Sequence, residues 1–110
     1  MKSLLLLIAF GGCALMGGGG QVVAADGGTA VFTKLCAPCH GPDGRARTRA
    51  ARKLGVKDLT KSRIADEQIR TQIITGWKDK QGVLKMPAFE DKLTEKQLAE
   101  LVGVVKGLRK

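Results

Sequence analysis

Cys36, Cys39 and His40 are the residues of this chain with the clearest capacity for chemistry. They lie within the stretch KLCAPCHGPDG, in a chain that has three cysteines and one histidine in all. Two thiols three positions apart beside an imidazole could form a redox dithiol, part of a zinc site, or the attachment point of a haem. The rest of the sequence must decide between these three chemistries.

The N-terminal segment, residues 1–25, is predicted to be a secretory signal peptide. Lys2 gives it a positive start, and an apolar run follows at positions 4–10. The small residues Ala24 and Ala25 each offer a cleavage site. The 110-residue chain then holds one small domain.

The mature domain is therefore predicted to be residues 26–110, with two cysteines, one histidine and one methionine. Its formal net charge is +8 in place of +9, because Lys2 is lost. Two alternatives for the N-terminus stay open: an uncleaved membrane anchor, and lipid modification at Cys13.

A zinc site and a dithiol both fit the mature domain poorly. Structural zinc needs four ligands, and this cluster supplies at most three, of which the adjacent Cys39 and His40 cannot easily bind one tetrahedral ion. A thioredoxin-like dithiol needs a strand–helix setting that the chain lacks. A disulfide between Cys36 and Cys39 would close too small a loop to stabilise the domain much.

A haem gives each residue of the motif a role. Cys36 and Cys39 on a turn of helix could form covalent bonds to one edge of a porphyrin, and His40 could then bind the iron. A domain this small buries little surface, so a large apolar cofactor would also supplement its core. We therefore predict one haem c, attached through Cys36 and Cys39, with His40 as proximal ligand.

Met86 is predicted to be the second axial ligand. It is the one methionine after residue 25, it lies in a loop, and Pro87 stiffens the backbone behind it. A methionine ligand raises the potential of haem iron, as suits an electron carrier. The alternative is a methionine that fills a gap in the core.

Three helices are predicted, with long loops between them and no convincing strand. The first covers about Gly28 to Cys36, and the second covers about Ala65 to Thr75, with Gly76 as its stop. The third opens with a capping box at Thr94 to Gln97. Its apolar stripe consists of Leu98, Leu101, Val102, Val105 and Leu108.

The mature chain resembles class I c-type cytochromes, most closely the small bacterial monohaem domains of the cytochrome c6 and cbb3-oxidase-subunit kind. The resemblance covers about residues 28–108. It rests on the start of the first helix and on the stretches CAPCHGPDG, LGVKDL, ADEQI, ITG and KMPAFEDKLTEKQLAELV. It implies an all-α cytochrome c fold, in which about three main helices and long loops wrap one covalently bound haem.

Three positions qualify the resemblance. The family usually packs an aromatic residue of the last helix against Gly28 and Phe32, but this chain has Val104 there, so that crossing should be less well packed. Lys57 stands where proline is usual, and its carbonyl could still accept a hydrogen bond from the proximal histidine ring. Trp77 could reach a haem propionate, although a ring at the haem edge or at the surface is the simpler reading.

The expected function is that of a periplasmic, monomeric one-electron carrier and not of an enzyme, because two protein axial ligands leave no place for a substrate. The positive charge predicts acidic-surfaced partners, such as an oxidase, a reductase or a dehydrogenase, and no nucleic acid. A generally basic surface is the alternative to a specific docking ring. The candidates for that ring are Arg45, Arg47, Arg49, Arg52, Lys53, Lys78, Lys80 and Lys85.

Two other functions stay open. An uncleaved or lipidated N-terminus would make the chain a membrane-tethered haem subunit of an oxidase or dehydrogenase complex. If Met86 does not bind the iron, an open site could support catalysis or gas sensing, although the chain has no second histidine to act there as an acid or base.

Overall fold

The computed structural model describes residues 21–110, so most of the predicted signal peptide and Cys13 lie outside the described residues. Within that range the chain forms helices joined by long loops and one short hairpin, which confirms the predicted helical architecture. The elements are α1 (Gly28–Val31), α2 (Ala37–His40), α3 (Arg49–Leu54), α4 (Asp66–Thr75), β1 (Trp77–Lys78), β2 (Leu84–Met86) and α5 (Glu95–Gly107). None of the helices described between residues 21 and 110 is long and apolar enough to cross a membrane.

The first helix is longer than predicted and changes its winding along its length. A wider, π-type turn at Phe32–Cys36 joins α1 to α2, so helical structure continues through His40 and does not end at Cys36. Such turns inside helices occur frequently at functional sites. Here the turn precedes Cys39 and His40 and sets the direction in which the end of the helix presents them.

The core forms where α1 crosses α5. Val31, Phe32 and Leu101 are buried there, and the backbone N–H of Gly28 donates to Glu100 Oε2 at 2.8 Å. Val104, which stands at the family's aromatic position, is partly buried against the same core. The helices approach each other closely because Gly28 has no side chain.

The predicted start and stripe of α5 are confirmed. Thr94 Oγ1 accepts from the Gln97 N–H at 3.1 Å, and Gln97 Oε1 accepts from the Thr94 N–H at 2.9 Å, which is the capping box. Along the stripe, Leu98, Leu101 and Val105 are buried. This face packs on α4, whose Ile69 and Ile73 are buried.

Gln97 also connects α5 to the residues that precede α1. Gln97 is 3% exposed, and its Nε2 donates to the carbonyls of Val23 and Asp26 at 2.8 and 3.1 Å. Val22 packs against the core beside this contact. The residues around the predicted cleavage site are thus in contact with the folded domain.

Two elements differ from the sequence prediction. The chain between the first two predicted helices was predicted to be loop, but Thr48 caps a helix there, α3, by accepting from the Ala51 N–H at 2.9 Å. Gly55, in the left-handed conformation, ends that helix. The prediction of no strands was also wrong, because β1 and β2 form an antiparallel hairpin. Strands of two and three residues are too short for an alternating pattern to be recognised.

Candidate functional site

One cavity of about 550 Å³ brings together all four predicted site residues, Cys36, Cys39, His40 and Met86. Its size lies within the range of roughly 300–1,000 Å³ that is usual for sites of small molecules and cofactors. Most of the remaining wall is apolar. That part of the lining includes Phe32, Leu35, Leu54, Val56, Leu59, Ile64, Ile69, Ile73, Phe89 and Val105.

The loop after α2 holds the end of that helix in place. Gly41 leaves the helix with φ +83°, and the Ala46 N–H donates to the His40 carbonyl at 2.8 Å. Thr48, the cap of α3, also donates its hydroxyl to the Cys39 carbonyl at 2.7 Å. One threonine therefore joins the start of α3 to the residues that carry the thiol and the imidazole.

The His40 ring is oriented by a backbone carbonyl. Its Nδ1 lies 3.2 Å from the Lys57 carbonyl oxygen, which is the contact expected at this position. A carbonyl can only accept, so Nδ1 carries the proton and Nε2 keeps its lone pair for a metal. Burial lowers the pKa of His40 below its ordinary value, and the bond to Lys57 opposes part of that shift. The net lowering of the pKa favours the neutral ring, the form that binds iron, at neutral pH.

Cys36 and Cys39 are free thiols, and the environment of Cys36 does not suit redox exchange. Cys36 is buried, and this burial, with a smaller contribution from the charge of Cys39, raises the pKa of Cys36 to about 12. A reactive dithiol depends on a lowered thiol pKa. The environment of Cys36 therefore favours a structural or attachment role over redox chemistry.

Met86 lies at the end of a strand and not in a loop as predicted. It is the last residue of β2, pairs with Trp77 of β1, and is partly buried against the core. Pro87 follows it and also lines the cavity. The hairpin and the proline together fix the backbone that carries the thioether.

The basic side chains at the cavity are mostly not those that the sequence indicated. Of the eight candidates, Lys85 alone lines the cavity, and Lys57, Lys61 and Arg63 line it as well. Lys61 and Arg63 carried no recognisable signal in the sequence, because they come near the cavity only through the fold of the loop after α3. Acidic groups on a bound cofactor would find positive partners in these four residues.

Trp77 borders the cavity and is 41% exposed. The Lys57 ammonium lies 5.9 Å from the centre of its ring, within the range of a cation–π contact. This placement agrees with a ring at the edge of the site and at the surface.

These observations fit a haem attached through thioethers. The chain supplies two thiols, an imidazole with a free Nε2, a thioether from a different element and an apolar cavity of suitable size. Cavity and fold together define a small c-type cytochrome. Residues 23–103 match the family model described as cytochrome C oxidase, cbb3-type, subunit III, and the chain belongs to this family.

Solved structures agree with this assignment. The chain is similar to the KustC0563 c-type cytochrome, with 30% identity and a TM-score of 0.65 over 77% of this chain and 100% of that one. A point mutant of KustC0563 gives 31% identity and a TM-score of 0.61, over 74% and 98% of the two chains. A search of curated proteins finds no match.

A third structure is part of a complex. It is the Kuenenia stuttgartiensis reducing HAO-like protein complex Kustc0457/Kustc0458, with 32% identity and a TM-score of 0.60. The match covers 74% of this chain but 41% of that one. The family and these neighbours make the chain a haem electron-transfer protein.

Proposed function

We propose that the chain is an exported one-electron carrier with a single haem c, attached through Cys36 and Cys39 and ligated by His40 and Met86. The observation that carries this proposal is the meeting of these four side chains in one apolar cavity. When bound, the haem supplies an iron that cycles between the ferric and ferrous states. The chain's own residues hold that iron at two positions, keep water away from it and orient it towards the surface.

Electron transfer without catalysis follows from the proposed ligand set. A thioether and an imidazole fill both axial positions, so no open site remains for a substrate. His40 is the one histidine of the chain, and its Nδ1 is already engaged by Lys57. No second imidazole is then present to transfer protons at the opposite face.

The test is the optical spectrum and the intact mass of the protein after it has been produced and exported in cells that contain the haem-attachment machinery. We expect the mass of the denatured protein to exceed that of the polypeptide by one haem. We also expect a weak long-wavelength ferric band from a sulfur–iron bond and no uptake of carbon monoxide. A high-spin spectrum with ready carbon monoxide binding would instead favour an open-site enzyme or gas sensor. A mass without haem would reject the cofactor itself.

We propose that partners dock beside the cavity at the hairpin. Trp77, Val83 and Leu84 are 41%, 51% and 50% exposed there, which is unusual for large apolar side chains in one short segment. Basic residues lie in the same region: Lys57, whose ammonium is over the Trp77 ring, and Lys85 line the cavity, and Lys78 and Lys80 belong to the hairpin. An apolar surface with a positive rim suits an acidic-surfaced oxidase, reductase or dehydrogenase.

Small charged oxidants test this docking surface without a known partner. Oxidation of the ferrous protein by anionic hexacyanoferrate(III) should slow as salt is added, because salt screens attraction to the positive rim. A cationic cobalt(III) complex should show the opposite trend. Lys57→Gln should weaken both salt effects, whereas Lys96→Gln, on α5 and away from the cavity, should change them little. Equal effects of the two variants would indicate a generally basic surface instead.

For location, we propose export to the periplasm, with residues 1–25 as the signal. One observation favours a second candidate, a membrane-tethered haem subunit: Val22 and Val23 are in contact with the folded domain. A cut after Ala24 or Ala25 would remove both residues. The intact mass reports which N-terminus the exported protein has, and extraction with and without detergent separates a free carrier from a tethered one.

A further inference from the structure

Gly76 ends α4 in a backbone conformation that favours glycine. Its φ is +74°, and its N–H donates to the Gln72 carbonyl at 2.8 Å, which closes the last turn of the helix. The sequence indicates no more than this role as a helix stop. Alanine would be strained by the dihedral angle alone.

The surroundings of Gly76 indicate a second role. A Cβ at Gly76 would overlap the carbonyl oxygen of Met86, and it would lie 2.9 Å from both the backbone N of Ala88 and the carbonyl carbon of Pro87. All three are backbone atoms, so no side-chain rotation can relieve the overlap. The segment that carries the proposed iron ligand therefore passes directly against Gly76.

That segment is also fixed on both sides of the contact. Met86 pairs with Trp77, the residue after Gly76, and the Phe89 N–H donates to the Ile73 carbonyl at 2.9 Å. Phe89 itself is buried in the core. Because these two attachments prevent the segment from sliding along α4, a side chain at position 76 would push Met86 and Pro87 away from the helix.

We infer that Gly76 is a positioning residue for Met86, because its missing side chain sets how far the Met86 backbone stands from α4 and so where the thioether lies in the cavity. This inference rests on the proposed axial role of Met86. It extends the proposed function, because it names a residue outside the cavity lining that determines the position of the Met86 thioether.

Gly82 provides a control for a positive φ. Its φ is +80°, close to the +74° of Gly76, and it does not line the cavity. In the described part of the chain, no heavy atom lies within 4 Å of a Cβ built at Gly82. Alanine at this site introduces the strain of a positive φ without any overlap.

The experiment compares the holoprotein variants Gly76→Ala and Gly82→Ala with wild type. We expect Gly76→Ala to weaken or lose the ferric sulfur–iron band and to bind carbon monoxide roughly ten- to a hundredfold faster, because its Met86-released state becomes populated. Gly82→Ala should keep the band and the resistance to carbon monoxide. A Gly76→Ala protein with both properties intact would overturn the inference. If wild type itself lacks the band, the axial role of Met86 fails, and the inference fails with it.

A double variant keeps the inference testable if Gly76→Ala yields no holoprotein. In a Met86→Ala background the segment is not held by the iron and can move away from α4. Recovery of holoprotein in Gly76→Ala/Met86→Ala, where Gly76→Ala alone gives none, would support positioning through Met86. Absence of holoprotein from both would mean that Gly76 serves folding in general, and it would overturn the inference.

Discussion

Replacing Met86 with alanine should convert the six-coordinate protein into one with an open axial position. The weak ferric band should disappear, the spectrum should become high-spin, and the ferrous form should bind carbon monoxide. The reduction potential should also fall, because a thioether stabilises ferrous iron relative to ferric iron. We expect the decrease to be a substantial part of the roughly 0.8 V range over which axial ligands tune haem proteins. Optical spectra and a redox titration measure these changes.

Leu84→Ala is the matched control for this prediction. Leu84 lies two residues earlier in β2, is 50% exposed, and is not among the residues that line the cavity. Its replacement should leave spectrum and potential almost unchanged. If Met86→Ala behaves like Leu84→Ala, Met86 is a packing residue, and the sixth ligand must come from elsewhere or be absent.

The site could be predicted largely because its residue types are rare in this chain. After residue 25 the chain has one histidine, two cysteines and one methionine, which leaves few ways to ligate a haem iron. Their meeting in one cavity supports the assignment by residue type. The contact between His40 and Lys57 could also be expected, because it uses a backbone carbonyl and survives the loss of the usual proline.

Other parts of the site depend on contacts between distant segments. The sequence predicts Gly76 only as a helix stop. Its contact with Met86 exists because the hairpin brings Met86 back to the end of α4. Lys61 and Arg63 reach the cavity through the fold of the loop after α3. A local pattern contains no information about such approaches, because they depend on the packing of the whole domain.

The helices also combine features that the local sequence predicts with contacts that it does not. The capping box at Thr94 and the stripe of α5 are local features, and both were predicted. The helix α3 has local signals too, with Thr48 as its cap and Gly55 after its end, and it could have been recognised from them. The second role of Gln97, as donor to Val23 and Asp26, joins residues more than 70 positions apart and could not be predicted.

Gly28→Ala should be the most damaging small substitution in the core. A Cβ at Gly28 would lie 2.8 Å from the backbone carbonyl carbon and from the Cβ of Glu100, and 2.9 Å from its carbonyl oxygen. These atoms belong to α5, so relief requires the two helices to separate at the point where Val31 and Leu101 are fully buried. Overpacking of this kind costs about 1–3 kcal/mol of the free energy of unfolding, and occasionally more.

Gly103→Ala, also in α5, separates this overlap from the ordinary effect of adding a methyl group to a helix. Among the described residues, no heavy atom lies within 4 Å of a Cβ at Gly103. That variant should therefore be more stable than wild type by about 0.5–1 kcal/mol, because alanine has a higher helix propensity than glycine at an exposed helix position. Denaturant unfolding of the ferric holoproteins, followed by circular dichroism, measures both changes. The two substitutions should shift the midpoint in opposite directions. A shared upward shift would mean that α1 and α5 can separate without cost, so that the close crossing at Gly28 does not hold this fold together.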